Sequence, residues 1–326
     1  MPQLVVSEEC WPIAGAFTIS RGSKTQADVV TISLAAGSHI GRGECVPYPR
    51  YGETVSQVIA ALTDARGRIE AGLARSDIPA LIAPMAARNA LDCALWDLEA
   101  KLTGQPVWTL AGLPKPTPVV TAYTLSLDTP EAMGAAAAAA AHRPLLKLKL
   151  GREGDADRLT SVRRNAPSCR LIVDANEGWS ADGLPGMLAL CADTGVEMVE
   201  QPLPAGRDEA LREMMRPVAV CADESAHGLS TLDDLAGKYD AINIKLDKTG
   251  GLTPAVALAR AARARNFRIM VGCMLATSLA MAPAMLLTPW ADVVDLDGPL
   301  LLAADRAPPI RYDGSLMHPP PRDLWG

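Results

Sequence analysis

The chain of 326 residues is 49% hydrophobic with a formal net charge of −6, enough apolar material for one large domain and a smaller one. That acidity, with no run of Lys or Arg, excludes a general nucleic-acid binder, and no apolar stretch approaches the roughly 20 residues that span a bilayer. The seven cysteines are scattered without CxxC or Cys/His spacing, which reads as thiols in a reducing compartment and not as disulfides or zinc ligands. No basic, apolar leader opens the sequence. A cytoplasmic protein with neither nucleic-acid nor membrane partners is expected, and homo-oligomerisation is left open.

Residues 1–115 are expected to form an α+β domain. Leu4–Trp11, Ala27–Leu34 and Gly41–Cys45 read as antiparallel strands, with Arg21-Gly22-Ser23 in the loop between the first two. Val55–Leu73 and Ala86–Leu98 carry apolar residues at helical spacing. Gly104-Gln105-Pro106 stops the second helix, and Gly112–Pro118 reads as a stiff linker. From 116 to 302 the pattern changes to alternating strands and helices. Strands are predicted at Val119–Leu125, Leu145–Leu150, Arg170–Asp174, Val196–Glu200, Val218–Asp223, Ala241–Lys245, Arg268–Gly272 and Val293–Leu296, with the alanine run Ala135–Ala141 as an intervening helix. Eight such strands predict an α/β fold of TIM-barrel type. The Pro-rich tail, from about 303 to 326, is expected to pack back on the first domain.

Leu145–Leu150 alternates with a period of two, so Lys147 and Lys149 share one face. Alone it reads as an edge strand with a solvated lysine face. Three later strands end in carboxylates, Asp174, Glu200 and Asp223, and a fourth ends in Lys245. A barrel would gather all of these at one mouth. Any one acid could be a helix N-cap, Asp174 above all. Three together need a cation, and an oxygen-only set without His or Cys suits Mg²⁺ better than zinc. Lys245 lies four strands on from Lys149, the opposite side of an eight-stranded barrel. Two lysines so placed can remove a proton α to a carboxylate and return it to the other face, provided that each is neutral when it acts as a base.

Lys147-Leu148-Lys149, Asp174-Ala175-Asn176, Glu200-Gln201-Pro202, Asp223-Glu224-Ser225 and Lys245 followed by Gly250-Gly251 resemble the enolase superfamily, in its muconate-lactonizing subgroup. The resemblance implies a (β/α)7β barrel under an α+β capping domain. It also implies Mg²⁺ on Asp174, Glu200 and Asp223, acid/base roles for Lys149 and Lys245, and enolate stabilisation by Lys147. Asp295-Leu296-Asp297 is similar to the Asp-x-Asp motif with which dipeptide epimerases hold a substrate ammonium. The loops Ser20–Ser23 and Glu44–Thr54 resemble the cap loops of bacterial L-Ala-D/L-Glu epimerases, which implies that Arg21 meets the side-chain carboxylate of glutamate. The implied activity is inversion of the glutamate Cα in a small dipeptide substrate, in recycling of cell-wall peptides. An epimerase of other dipeptides, a cycloisomerase or lyase of the same superfamily, and a non-catalytic binding barrel are the alternatives. Glu224 reads as a residue that orients its neighbours, and Cys273-Met274 as pocket lining or core. His227 is expected to be exposed, and Lys248 to fall on the other strand face or in the loop, outside catalysis. Pro319-Pro320-Pro321-Arg322 departs from the glycine-rich ending more usual in the family.

Overall fold

A computed structural model describes residues 2–326. β1 (Gln3–Ile19), β2 (Gly22–Ala36) and β3 (His39–Cys45) form an antiparallel sheet in that order. The first two strands run further than their alternation predicts. Their register shifts between Pro12 and Phe17 and resumes at Phe17 opposite Lys24, so the irregular middle hides the second half of the hairpin from a period-two reading. That extra length carries the turn at Ser20-Arg21 over the rest of the molecule. The helix Met85–Thr103 packs across the sheet. Gly43 permits the approach, since a Cβ there would lie 2.0 Å from the Ala90 carbonyl oxygen. The helical pattern from Val55 divides into Val55–Asp64 and Arg66–Glu70 at Ala65, two residues before Gly67, a poor helix former.

The second sheet is parallel and holds eight strands in sequence order. They are β5 (Tyr123–Leu125), β6 (Leu145–Lys149), β7 (Arg170–Asp174), β8 (Val196–Glu200), β9 (Ala219–Ala222), β10 (Ala241–Ile244), β11 (Arg268–Gly272) and β12 (Val293–Asp295). The Ala122 N–H donates to the Val294 carbonyl at 2.8 Å and brings the two ends of this sheet together. The result is a nearly closed barrel under an α+β cap.

The predicted strand Val119–Leu125 is split. β4 (Val119–Val120) leaves the barrel and pairs with β14 (Leu316–Met317), which pairs in turn with β13 (Tyr312–Asp313). Thr121 makes the division: its N–H donates to Ser315 O at 2.9 Å, and its Oγ1 accepts from the Leu296 N–H at 2.8 Å. The tail also reaches the cap, where Trp325 Nε1 donates to Cys93 O at 3.1 Å and the Gly326 N–H to Asp97 Oδ1 at 2.7 Å.

Inside the barrel, Ala122, Leu145, Ile172, Met198, Cys221, Ala241, Met270 and Val293 form one buried apolar cluster, one residue from each strand or its threshold. This layer closes the N-terminal end. Inward-facing positions recur every second residue, so the next layer is Thr124, Lys147, Asp174, Glu200, Asp223, Asn243, Gly272 and Asp295. Two residues further along come Lys149, Asn176, Lys245 and Asp297. A floor of hydrocarbon therefore carries two tiers of mostly polar and ionisable groups. Gly272 leaves room for one of them, as a Cβ there would meet Asn243 Oδ1 at 2.5 Å.

Candidate active site

The barrel brings together every lysine and acid that the strand pattern singled out. Lys147 Nζ donates to Asp295 Oδ2 at 2.7 Å and lies 2.6 Å from Glu200 Oε2 and 3.2 Å from Asp174 Oδ2. Lys149 Nζ donates to Asp174 Oδ2 at 2.6 Å. Across the barrel, Lys245 Nζ donates to Asp223 Oδ2 at 2.7 Å and stands 3.9 Å from Glu200 Oε1. All of these side chains are buried. The helix N-cap reading of Asp174 does not hold: its Oδ1 accepts from the Asn176 N–H at 2.9 Å, and no helix starts there.

The charges are strongly coupled. Burial alone would push Lys147 and Lys245 down, but Asp295, Glu200 and Asp174 around the first, and Asp223 and Glu200 beside the second, carry both well above the usual lysine range. Burial would raise Asp174 and Asp223, and the facing lysines instead hold both below the ordinary carboxylate range. Glu200 is pushed up, by burial first and then by Asp174. A lysine acting as a base must lose its proton, so this direction is opposite to the one the sequence pattern asked of it. The reason is that the acids that would hold a cation also hold the ammonium groups.

Among the described residues, no three acidic, His or Cys side chains converge at metal-binding spacing. The donor set nevertheless fits a hard cation. Among the described residues, six buried side-chain polar atoms lack a hydrogen-bond partner, and five of them are acceptor oxygens at this mouth: Asn176 Oδ1, Glu200 Oε2, Glu224 Oε2, Asn243 Oδ1 and Asp295 Oδ1. Glu200 Oε2, one of the five, is nonetheless ion-paired with Lys147 Nζ at 2.6 Å. Unpaired buried acceptors call for a donor or a cation.

Two participants were missed by the strand pattern. Asn243 donates through Nδ2 to Glu200 Oε1 at 2.7 Å; its place two residues after Ala241 and two before Lys245 was the available signal. Lys248, expected on the other strand face or in the loop, follows the strand; it is fully buried and donates to Asp223 Oδ1 at 2.5 Å, to Asp223 O at 2.6 Å and to Asn243 O at 2.9 Å. The chain turns helical over Leu246–Thr249, and that turn brings position 248 back under the strand ends, where strand periodicity no longer applies.

Above the lysines lies a cavity of about 490 Å³ between barrel and cap, lined by Lys149, Lys245, Cys273 and Met274 and by cap residues that include Phe17, Arg21, Tyr48 and Tyr51. Arg21 Nη2 donates to Glu224 Oε1 at 2.7 Å, and Nη1 to Glu177 Oε2 at 3.1 Å and to Asn176 O at 2.9 Å. After the last barrel strand, Asp297 Oδ2 accepts from the Thr124 N–H at 2.6 Å. Burial, then Asp295, pushes the Asp297 carboxyl up. His227, expected to be exposed, is half-buried with its ring edge-on to Tyr51 at 5.0 Å. Two buried acids at the last strand, an arginine in the cap and two lysines lining the cavity suit a small zwitterion with a second carboxylate.

Comparisons with known proteins agree with this geometry. The family model of the mandelate racemase / muconate lactonizing enzyme N-terminal domain matches residues 1–112, and that of the enolase C-terminal domain-like family matches residues 132–322. The L-Ala-D/L-Glu epimerase of Escherichia coli K12 is 45% identical over 320 residues, covering 98% of this chain and 100% of the relative. An enolase family member from Agrobacterium tumefaciens, with homology to dipeptide epimerases and solved with sodium and L-Ala-L-Glu, superposes with a TM-score of 0.98 at 51% identity over 100% of both chains. A dipeptide epimerase from Cytophaga hutchinsonii, solved with Mg and D-Ala-L-Val, has a TM-score of 0.89 at 28% identity, covering 98% of this chain and 94% of its own.

Proposed function

The chain belongs to the mandelate racemase / muconate lactonizing enzyme family of the enolase superfamily, and from that footing we propose that it epimerises L-Ala-D/L-Glu at the glutamate α-carbon. The observation that carries this reading is the pairing of Asp295 and Asp297 with Lys149 and Lys245 in one barrel interior. Cycloisomerisation or dehydration would use the lysines but has no need of two acids at the last strand. A non-catalytic binding barrel has no use for two lysines set across the mouth.

In this reading the substrate lies across the cavity. Asp295 and Asp297 accept from its ammonium group, and Arg21 meets the side-chain carboxylate of glutamate. Lys147 faces the α-carboxylate. Lys149 and Lys245, from strands on opposite sides, attend the two faces of Cα: one removes the proton, and the other returns it to the opposite face. Asp174, Glu200 and Asp223 would hold Mg²⁺, which when bound supplies positive charge against the developing negative charge on the substrate carboxylate. Lys245 shares Asp223 and Glu200 with that cation site, so its proton is held less tightly whenever those oxygens are engaged elsewhere.

The unpaired thiols of all seven cysteines fit a reducing, cytoplasmic setting, and recycling of cell-wall peptides is the pathway that this substrate suggests. No helix among the described residues is long and apolar enough to cross a membrane.

The deciding experiment incubates the protein with L-Ala-L-Glu and Mg²⁺ in D₂O and follows the glutamate α-proton by NMR, beside a chelated control. Metal-dependent loss of the signal with appearance of L-Ala-D-Glu is expected. A folded, metal-loaded sample that exchanges no α-proton would overturn the Ala-Glu assignment. Exchange only with neutral dipeptides would favour an epimerase of other specificity.

A further inference from the structure

Glu177 stands outside the groups that meet the reacting atoms, yet four donors converge on it. It follows Asn176 in the loop after β7, and both residues take positive φ, +44° and +65°, a conformation that non-glycine side chains adopt only when their surroundings hold them there. Oε1 accepts from Arg50 Nη2 at 2.7 Å and from the Ala205 N–H at 2.8 Å. Oε2 accepts from Arg50 Nε at 2.7 Å and from Arg21 Nη1 at 3.1 Å. Arg21 comes from the β1–β2 turn, Arg50 from the turn Pro49–Tyr51 after β3, and Ala205 from the segment after β8. The backbone joins in, as Asn176 O accepts from Ser20 Oγ at 3.0 Å and from Arg21 Nη1 at 2.9 Å. One barrel carboxylate thus receives both cap turns that wall the cavity, and the Arg50 contact is a two-point fork with fixed geometry.

We propose that Glu177 is a positioning residue that ties both cap turns to the barrel rim and so sets the pose in which Arg21 meets an acidic substrate side chain. The substrate named here rests on the Ala-Glu reading; the tie between cap and barrel does not. Glu177, Glu224, the Asn176 carbonyl and the Tyr48 hydroxyl engage both Nη atoms of Arg21, while its Nε makes no hydrogen bond within the chain among the described residues. An incoming carboxylate therefore meets a guanidinium that is already oriented and need not order it on binding.

The test uses Glu177→Gln, Arg50→Met and the double variant, all in the full chain. Glu177→Gln keeps size and backbone but presents an amide N–H₂ toward a guanidinium. Hydrogen exchange is expected to rise about fivefold or more in residues 18–24 and 47–52, with the barrel strands unchanged. KM for L-Ala-L-Glu should rise about tenfold, with kcat within about twofold and KM for L-Ala-L-Leu nearly unmoved. The double variant should be no worse than Glu177→Gln, since the hydrogen bonds of Arg50 go to Glu177 alone. Unchanged exchange in the two turns overturns the proposal, as does an equal KM rise for acidic and neutral dipeptides or strict additivity of the two substitutions. If the unsubstituted protein turns over neither dipeptide, the Ala-Glu reading fails, and exchange in the two turns decides the role of Glu177 by itself.

Discussion

Lys149 and Lys245 occupy the same tier of the barrel but answer to different acids, Asp174 for the first and Asp223 with Glu200 for the second. Each can therefore be removed without discharging the other's partner. Lys245→Met should slow epimerisation by about 10³-fold or more while leaving α-proton exchange with D₂O for one of L-Ala-L-Glu and L-Ala-D-Glu. Lys149→Met should show the reverse preference by the same NMR measurement, and loss of exchange from both epimers in either variant would separate the lysines from the two faces. Asp297 belongs to this scale too. Asp297→Asn keeps an acceptor for the Thr124 N–H and removes a charge beside Asp295, so the fold should persist while KM for the dipeptide rises about tenfold or more. N-acetyl-glutamate, which lacks the ammonium, should be affected much less in a competition assay.

At the level of strands and helices, the cap depends on one close approach. Gly43→Ala would drive a methyl group into the Ala90 carbonyl, with no flexible side chain to give way. A destabilisation of about 2 kcal/mol or more is expected, read as a lowered urea midpoint. Where the sequence was legible and where it was not follows from how local each signal is. The two-residue period in Lys147-Leu148-Lys149 and the acids at the ends of β7, β8 and β9 are local, so the barrel and its ionisable tiers could be read directly. The split at Thr121 could not, because Val119–Leu125 is uniformly strand-like and its division is made by Ser315 and Leu296, far along the chain. The contacts of Lys248 with Asp223 and Asn243 were not legible for a related reason: a helical turn of four residues carries no periodic signature. The latching of Arg21 by Glu224 and Glu177 joins side chains 203 and 156 residues away, and no pattern within either loop announces it.

Across the whole molecule, buried acids mark the seam between cap and barrel. Asp247, from the barrel, accepts through Oδ1 from the Val46 N–H at 3.1 Å and from Asn89 Nδ2 at 2.8 Å, both in the cap. Burial, with Glu53 and Glu44 nearby, pushes its carboxyl up to about 7. A folded-state value above the unfolded one of about 3.9 means that the native state holds the proton more tightly. Stability from this group is then full at low pH and falls as pH rises through 7. Asp247→Asn removes that titration, so its loss of stability between pH 5 and pH 8 should be smaller than the parent's by about 2 kcal/mol, measured by urea unfolding at both pH values. An equal loss in both proteins would assign the titration to another acid of the seam. The tail adds a temporal side to this architecture. The buried Asp97 carboxylate waits for the Gly326 N–H, 229 residues later in the chain, and at roughly 5–20 residues per second that is about 10–45 s of synthesis. Thr121 likewise waits for Leu296, 175 residues on. The cap helix and the first barrel strand therefore leave the ribosome long before their partners exist, and the nascent chain must be kept from misassociating until the barrel can close.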